Sequence, residues 1–415
     1  MERKVHPLQS HVLMQELLAK HYAEAKKAKA EGQKIVWCCG QAATDILLAM
    51  DILPMYPENH AALCGARGVS TDLCQIAEGH DYNPDLCSYA RNELGWAFSG
   101  DVSLSPLGGL PEPDILLIAT LCNTHLKWFE NLSRIYNVPL LTLDTPLIHD
   151  GMGAEEVETI VGYVHRQLEE EIAFLEDFTG RRYNYDRLQE VVANTSRAAQ
   201  LYGEVVSSAR NIPSPITAFD TFLHLGALMD LRGFPQAVTY YQTLRDEVMG
   251  RVDSGFAAVG EERYRLYWDG IPIWFRVGHL GRKFASYGAC CAVALYPFVW
   301  VEAFAREDPE DPLGSIARAQ STIYVNRGTQ YVIDFLCQVV EDYSLDGLVM
   351  QMSRTCKPVI SAQLAVMKAV EKRAGVPAVL IEGDMVDARL YSDADVDNRI
   401  ETFMAVLEGR AKAGA

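Results

Sequence analysis

Strand-like apolar runs recur along this chain, each closed by a loop and followed by a helix-like stretch, and this alternation is what most limits its fold. KIVWCCG (34–40) is a short apolar run closed by Gly40, and QAATDILLAMDI (41–52) reads as the next helix. LPMYPENHAAL (53–63) reads as a strand end and a loop. The unit returns with Ile115–Ala119 as strand, Leu121–Thr124 as loop and Leu126–Ile135 as helix, and VPLLTLDTP (138–146) is a further strand. Residues 153–250 are helical by period, interrupted by Pro213-Ser214-Pro215. From Glu261 the pattern resumes with YRLYWDGIPIW, CCAVALYPF, GLVMQMSRTCK and PAVLIEGDMVD, and a helix closes the chain over 394–411. Apolar strands alternating with amphipathic helices predict parallel sheets covered on both faces. The expected architecture is α/β: a lobe at 1–155, a helical segment at 156–258 and a second α/β lobe at 259–415. Residues 9–31 predict a helix stopped by Gly32.

The 415 residues are 49% hydrophobic and 22% charged, enough apolar matter for large cores and too little charge for a disordered chain. The formal net charge is −18, which argues against nucleic acid or an anionic membrane as a partner. The opening MERKVHPLQSHVLMQELLAKHY reads as an amphipathic helix with no apolar signal-peptide core, and no apolar run reaches the ~18 residues of a membrane span. The expectation is a cytoplasmic protein.

Ten cysteines in such a chain point to metal, redox chemistry or core packing rather than disulfides. None is spaced C-x-x-C, so a zinc ribbon is not indicated, and ligands would have to converge from distant loops. Open parallel sheets bind ligands beyond their carboxyl strand ends. Cys38, Cys122 and Cys356 fall at or just after predicted strand ends, whereas Cys290-Cys291 opens a strand-like run. Cys87, Cys122 and Cys356 sit in polar loops near Arg91, Arg354 and Lys357, and nearby cations favour thiolate. The competing reading is a small buried hydrophobe. It is the preferred one for Cys74 and Cys337, which lie in helical segments.

YPENHAA, NPDLCSYAR, LCNTHLKWFENLS, WDGIPIW, SRTCK and the IEGDMVDAR tail with Arg399 resemble, in order and nearly end to end, the benzoyl-CoA reductase and 2-hydroxyacyl-CoA dehydratase family. The resemblance implies two Rossmann-like lobes with a cluster of the [4Fe–4S] type between them, and carries the ligand roles onto Cys87, Cys122 and Cys356.

The departures from that pattern add thiols. Cys38-Cys39 replace hydroxyl side chains, Cys64 stands where the family has no cysteine, and Cys290-Cys291 replace a Met-Thr-Gly-like strand start. Two histidines are exchanged for Gln351 and Phe298, which removes imidazoles able to transfer protons. This looks like the double-cubane branch of the family. That likeness implies an [8Fe–9S] cluster, a homodimer, and electrons from a separate ATP-hydrolysing iron–sulfur reductase for low-potential reduction of a small molecule. Three of Cys38, Cys39, Cys64, Cys290 and Cys291 would complete the ligand set. Adjacent strand residues face opposite ways, so one of Cys290 and Cys291 is expected at the cluster; Cys38, Cys64 and Cys291 are the favoured three. The alternative is one subunit of a two-subunit (R)-2-hydroxyacyl-CoA dehydratase or acyl-CoA reductase with a single [4Fe–4S] cluster, and a third reading is a non-catalytic cluster carrier.

His60 and His125 lie near the expected site as proton shuttles or, preferably, hydrogen-bonded structural groups. Glu58 and Asn59 are candidate helix caps. Lys357 and Arg354 would stabilise a reduced cluster or pair with acids. Asp384 and Asp387 are candidates for ligand contact or a helix N-terminus. The chain contains no Walker A sequence, so an ATPase has to be another protein.

Overall fold

The computed structural model describes residues 8–414; the first seven residues of the predicted N-terminal amphipathic stretch lie outside them. Two four-stranded sheets carry the architecture. Strands β1 (Ile35–Cys38), β2 (Leu53–Met55), β3 (Ile115–Ala119) and β4 (Leu140–Leu143) form the first, in the order β2-β1-β3-β4. Strands β5 (Tyr264–Asp269), β6 (Ala289–Ala294), β7 (Gly347–Ser353) and β8 (Ala378–Gly383) form the second, in the order β6-β5-β7-β8. Every pairing is parallel. The central strands β1, β3 and β5 are buried along their whole length, because helices cover both faces.

Helices Ala154–Thr179, Tyr185–Ser207 and Pro235–Asp253 lie between the two sheets in sequence. The helix Ser10–Ala30 precedes β1, yet its Met14 and Leu18 share a core with Leu225, Tyr240 and Leu244 of the helical segment.

Two stretches differ from expectation. Residues 41–52 hold only one helical turn, Asp45–Leu48, because the chain turns through Asp51 (φ 57°) to lay Leu53 beside Ile35. The stretch read as a loop after β2 is the helix Pro57–Arg67. Proline is at its start, where a missing N–H leaves no helical bond unmade. Likewise CCAVALYPF divides into β6 and a helix Leu295–Phe304.

Both sheets reverse their winding direction at one point, between β1 and β3 and between β5 and β7. Such a switch point opens a crevice beyond the carboxyl ends of the strands. No described helix is long and apolar enough to cross a membrane.

Candidate metal centre

Residues beyond both crevices line one cavity of about 100 Å³: Gln41 after β1 and Cys122 after β3 from the first lobe, Ile271 after β5 and Cys356 after β7 from the second. Cys87 joins them. All three cysteines occupy the residue just before a helix: Cys87 before Ser88–Ser99, Cys122 before Asn123–Tyr136, Cys356 before Lys357–Ile360. Backbone N–H groups of the first turn face the sulfur at two of them, Ala90 toward Cys87 and Val359 toward Cys356. A buried relay sets the spacing of two of these loops. The Ser88 N–H, next to Cys87, donates to Thr355 Oγ1 at 3.1 Å, and the Thr355 hydroxyl, next to Cys356, donates to Asp384.

The other predicted ligands are elsewhere. Cys38 ends β1 inside the first lobe's core, with its Sγ 3.7 Å from Val36 O. Cys64 lies on the helix Pro57–Arg67 with its Sγ 3.7 Å from His60 Nε2. Cys291 packs into a core with Trp268 and Phe219, while Cys290 faces the opposite core and points its thiol at Ile216 O, 3.8 Å away. Cys291 is three residues short of the carboxyl end of β6, about 10 Å at 3.3 Å per residue. None of Cys38, Cys64 and Cys291 is among the residues lining the cavity. Cys39 accepts the Ala119 N–H at 3.3 Å and lies beside His125. Cys74 is buried on the helix Ser70–Gly79, and Cys337 is half-buried on Thr329–Asp342.

Glu58 and His125 form a pair on the cavity wall, His125 Nε2 lying 3.0 Å from Glu58 Oε1. The second oxygen of Glu58 accepts the Gly40 N–H, so its role is to bridge the β1 loop to His125 rather than to cap its own helix. A Cβ at Gly40 would lie 2.8 Å from Trp300 and 3.2 Å from Glu58, which explains the glycine. Burial works against the charge of both partners. Their mutual attraction prevails, holding Glu58 below the ordinary carboxylate range and His125 well above the ordinary imidazole one.

His60 does not line the cavity. Burial disfavours its charge, but Glu93 Oε1, 2.7 Å from Nδ1, outweighs this and pushes it to about 10. Asn59 donates to Asp230, Arg354 pairs with Glu382, and Lys357 donates to the Arg354 carbonyl at 3.0 Å. Asp387 takes Arg91 at 2.8 Å. Of the two exchanged histidine positions, Gln351 is buried with its amide able to donate to the Ile271 carbonyl at 3.0 Å, and Phe298 packs at a tilt against Phe335, the ring centres 4.8 Å apart. The aromatic wall of Tyr89, Trp128, Tyr296 and Trp300 was not singled out from sequence; Tyr-Pro directly after a strand was its only signal. Tyr296 also borders a larger apolar groove of about 740 Å³ between the helices Ser10–Ala30 and Pro57–Arg67.

No three His, Cys, Asp or Glu side chains among the described residues are placed to hold a single metal ion. One ion needs its thiolates within about 2.3 Å of a common point, whereas the ligands of a cubane stand apart at its corners. The donor set suits the latter. Soft thiols alone select iron–sulfur or similar centres. Burial first, and then the other thiols, raise Cys87 and push Cys356 up to about 12, so these sulfurs carry charge together only around a cationic body.

The fold and this cavity define a class: residues 39–407 match the family described as 2-hydroxyglutaryl-CoA dehydratase, D-component, and the chain belongs to that family. Its relatives align over nearly their whole length. The chain is 32% identical to a subunit of the benzoyl-CoA reductase of Thauera aromatica, with 98% of this chain and 96% of that one covered. It is 30% identical to the (R)-2-hydroxyisocaproyl-CoA dehydratase alpha subunit of Clostridioides difficile, with 97% of each covered. It is 29% identical to the lactoyl-CoA dehydratase alpha subunit of Anaerotignum propionicum, with 94% of each covered.

Proposed function

We propose that this chain is the cluster-bearing subunit of an enzyme acting on an acyl-CoA thioester, either dehydrating a 2-hydroxyacyl-CoA or reducing an acyl-CoA. Its cofactor is one [4Fe–4S] cluster held by Cys87, Cys122 and Cys356. The observation that carries this reading is the convergence of those three cysteines, from both lobes, on one cavity. Three thiolates leave one iron of a cubane without a protein ligand, and a bound cluster supplies low-potential electrons at that point. The protein's own contribution is a largely apolar wall and the Glu58–His125 pair, which holds a proton between Oε1 and Nε2 at the cavity's edge.

The relatives' names support partner subunits, since each is itself named as one subunit of an enzyme. Electrons come from a separate ATP-hydrolysing iron–sulfur reductase, consistent with the missing Walker A sequence. The second reading is a homodimeric reductase of small molecules with an [8Fe–9S] double cubane. It needs three of Cys38, Cys39, Cys64, Cys290 and Cys291 at the cavity, and is favoured by the contact of Cys39 with His125. Metal analysis of the anaerobically purified protein decides between them: about four iron and four sulfide per chain for the first reading, about eight iron for the second. Cys87→Ser, Cys122→Ser and Cys356→Ser are expected to lose most of the iron, because hard oxygen replaces thiolate poorly. Wild-type iron in all three would sink both readings. A stable, metal-loaded homodimer with eight iron would favour the second.

A further inference from the structure

We propose that the cavity beside Cys87, Cys122 and Cys356 admits an uncharged, apolar acyl group, aliphatic or aromatic, and excludes an acyl chain that ends in a carboxylate. This rests on the acyl-CoA reading above and narrows its substrate class.

The walls are apolar: Ile271, Leu295, Val299, Trp300, Val325 and Met385 face the space. No lysine or arginine among the described residues lines it. His125 could pair with an anion, but Glu58 engages it at 3.0 Å. The buried Arg232 stands behind the β1 loop, where its guanidinium is occupied by the Gly40 carbonyl at 3.1 Å and the Ala42 carbonyl at 3.0 Å. A second carboxylate on the substrate would therefore be desolvated with no cation opposite it and with Glu58 nearby, a placement that strongly disfavours binding.

What the walls do offer is neutral. The indole N–H groups of Trp128 and Trp300 belong to cavity-lining residues, are buried, and have no hydrogen-bond partner in the protein. Neutral groups of this kind do not neutralise a full charge. Among the relatives both kinds of acyl group occur, since one is named for an isocaproyl and another for a glutaryl thioester; the walls here match the former chemistry.

The test is equilibrium binding of saturated thioesters, which cannot be dehydrated, to the anaerobically purified, metal-loaded protein by calorimetry. 4-Methylpentanoyl-CoA and glutaryl-CoA share the CoA moiety and differ mainly in the terminal carboxylate. Glutaryl-CoA should bind on the order of 100-fold more weakly. Affinity along propanoyl-, butanoyl- and 4-methylpentanoyl-CoA should rise by about fourfold for each carbon buried. Val299→Lys should shrink the 100-fold preference to about tenfold or less by placing a cation on the wall, and Val325→Lys serves if that variant does not fold. Equal binding of the two esters by the wild-type protein overturns the specificity alone. Failure of every thioester to bind metal-loaded protein overturns the acyl-CoA reading beneath it.

Discussion

Thr355 is a small residue with a large consequence, because its hydroxyl joins the backbone beside Cys87 to Asp384 beyond β8. Thr355→Val keeps the shape and removes the relay, leaving a buried N–H and a buried carboxylate short of a partner at about 1–3 kcal/mol. We expect lower iron content, an altered electron paramagnetic resonance spectrum of the reduced cluster and a lower melting temperature, with Thr355→Ser restoring all three. An unchanged spectrum in the valine variant would reduce Thr355 to packing. Glu171 is a different case. Both of its carboxylate oxygens are buried without a partner, and burial pushes it up to about 8. Its folded-state value is raised, so the stability it lends is complete below the ordinary carboxylate range and is lost as pH rises toward 8. Denaturation midpoints should fall over that interval, by on the order of 3–5 kcal/mol in free energy. Glu171→Gln should flatten the fall and be the more stable form at pH 8; an unaltered pH profile would remove Glu171 as its source.

The strands were the legible elements. β1 and β3 are unbroken apolar runs buried on both faces, and β5 and β7 are largely apolar runs interrupted by Arg265, Asp269, Gln351 and Ser353; such runs announce themselves without help from tertiary context. The helix Pro57–Arg67 was missed because PENHAALCGAR fills its inner positions with Ala, Cys and Gly, which leave little apolar period to read. In QAATDILLAMDI the period is strong, but the need to reach β2 ends the helix after one turn. Close approach between elements is equally hidden in sequence. Gly95 of the helix Ser88–Ser99 lies against the helix Ser70–Gly79, where an added Cβ would sit 1.8 Å from the Leu73 carbonyl oxygen. Backbone cannot yield as a side chain can, so Gly95→Ala should destabilise by more than about 2 kcal/mol and displace Cys87 at the end of the same helix. Urea denaturation and iron content would both register it; a neutral effect on both would contradict the packing.

At the scale of the molecule, the two sheets share one strand order, and the repetition extends to short motifs in the same places. Tyr56-Pro57 follows β2 as Tyr296-Pro297 follows β6, Gly40 follows β1 as Gly270 follows β5, and Cys122 follows β3 as Cys356 follows β7. No repeat of fixed period was legible, because helices and loops of unequal length separate these landmarks. The polar loops around Cys87, Cys122 and Cys356 marked them out in the sequence, and the resemblance of those loops singled them out as a set; all three line the cavity. Cys38, Cys64 and Cys291 do not line that cavity, because a carboxyl strand end, or an extra cysteine, says nothing of which way a side chain faces. Residues from both lobes meet at the cavity, so a group bound there ties their unfolding together. Removing the metal should lower the melting temperature by at least about 5 °C and broaden the transition, read by calorimetry with and without chelation. An unmoved, equally sharp transition would show that the relay and the Arg91–Asp387 pair suffice alone.

The split origin of the three sulfurs also sets a clock. Cys356 leaves the ribosome roughly 230 residues after Cys122, which at about 5–20 residues per second is tens of seconds of synthesis. Through that interval the nascent first lobe carries two of the three thiols with nothing to complete them. If the three hold a cluster as proposed, metal delivered then would meet only two of its sulfurs, and complete loading would have to wait for Cys356 to emerge.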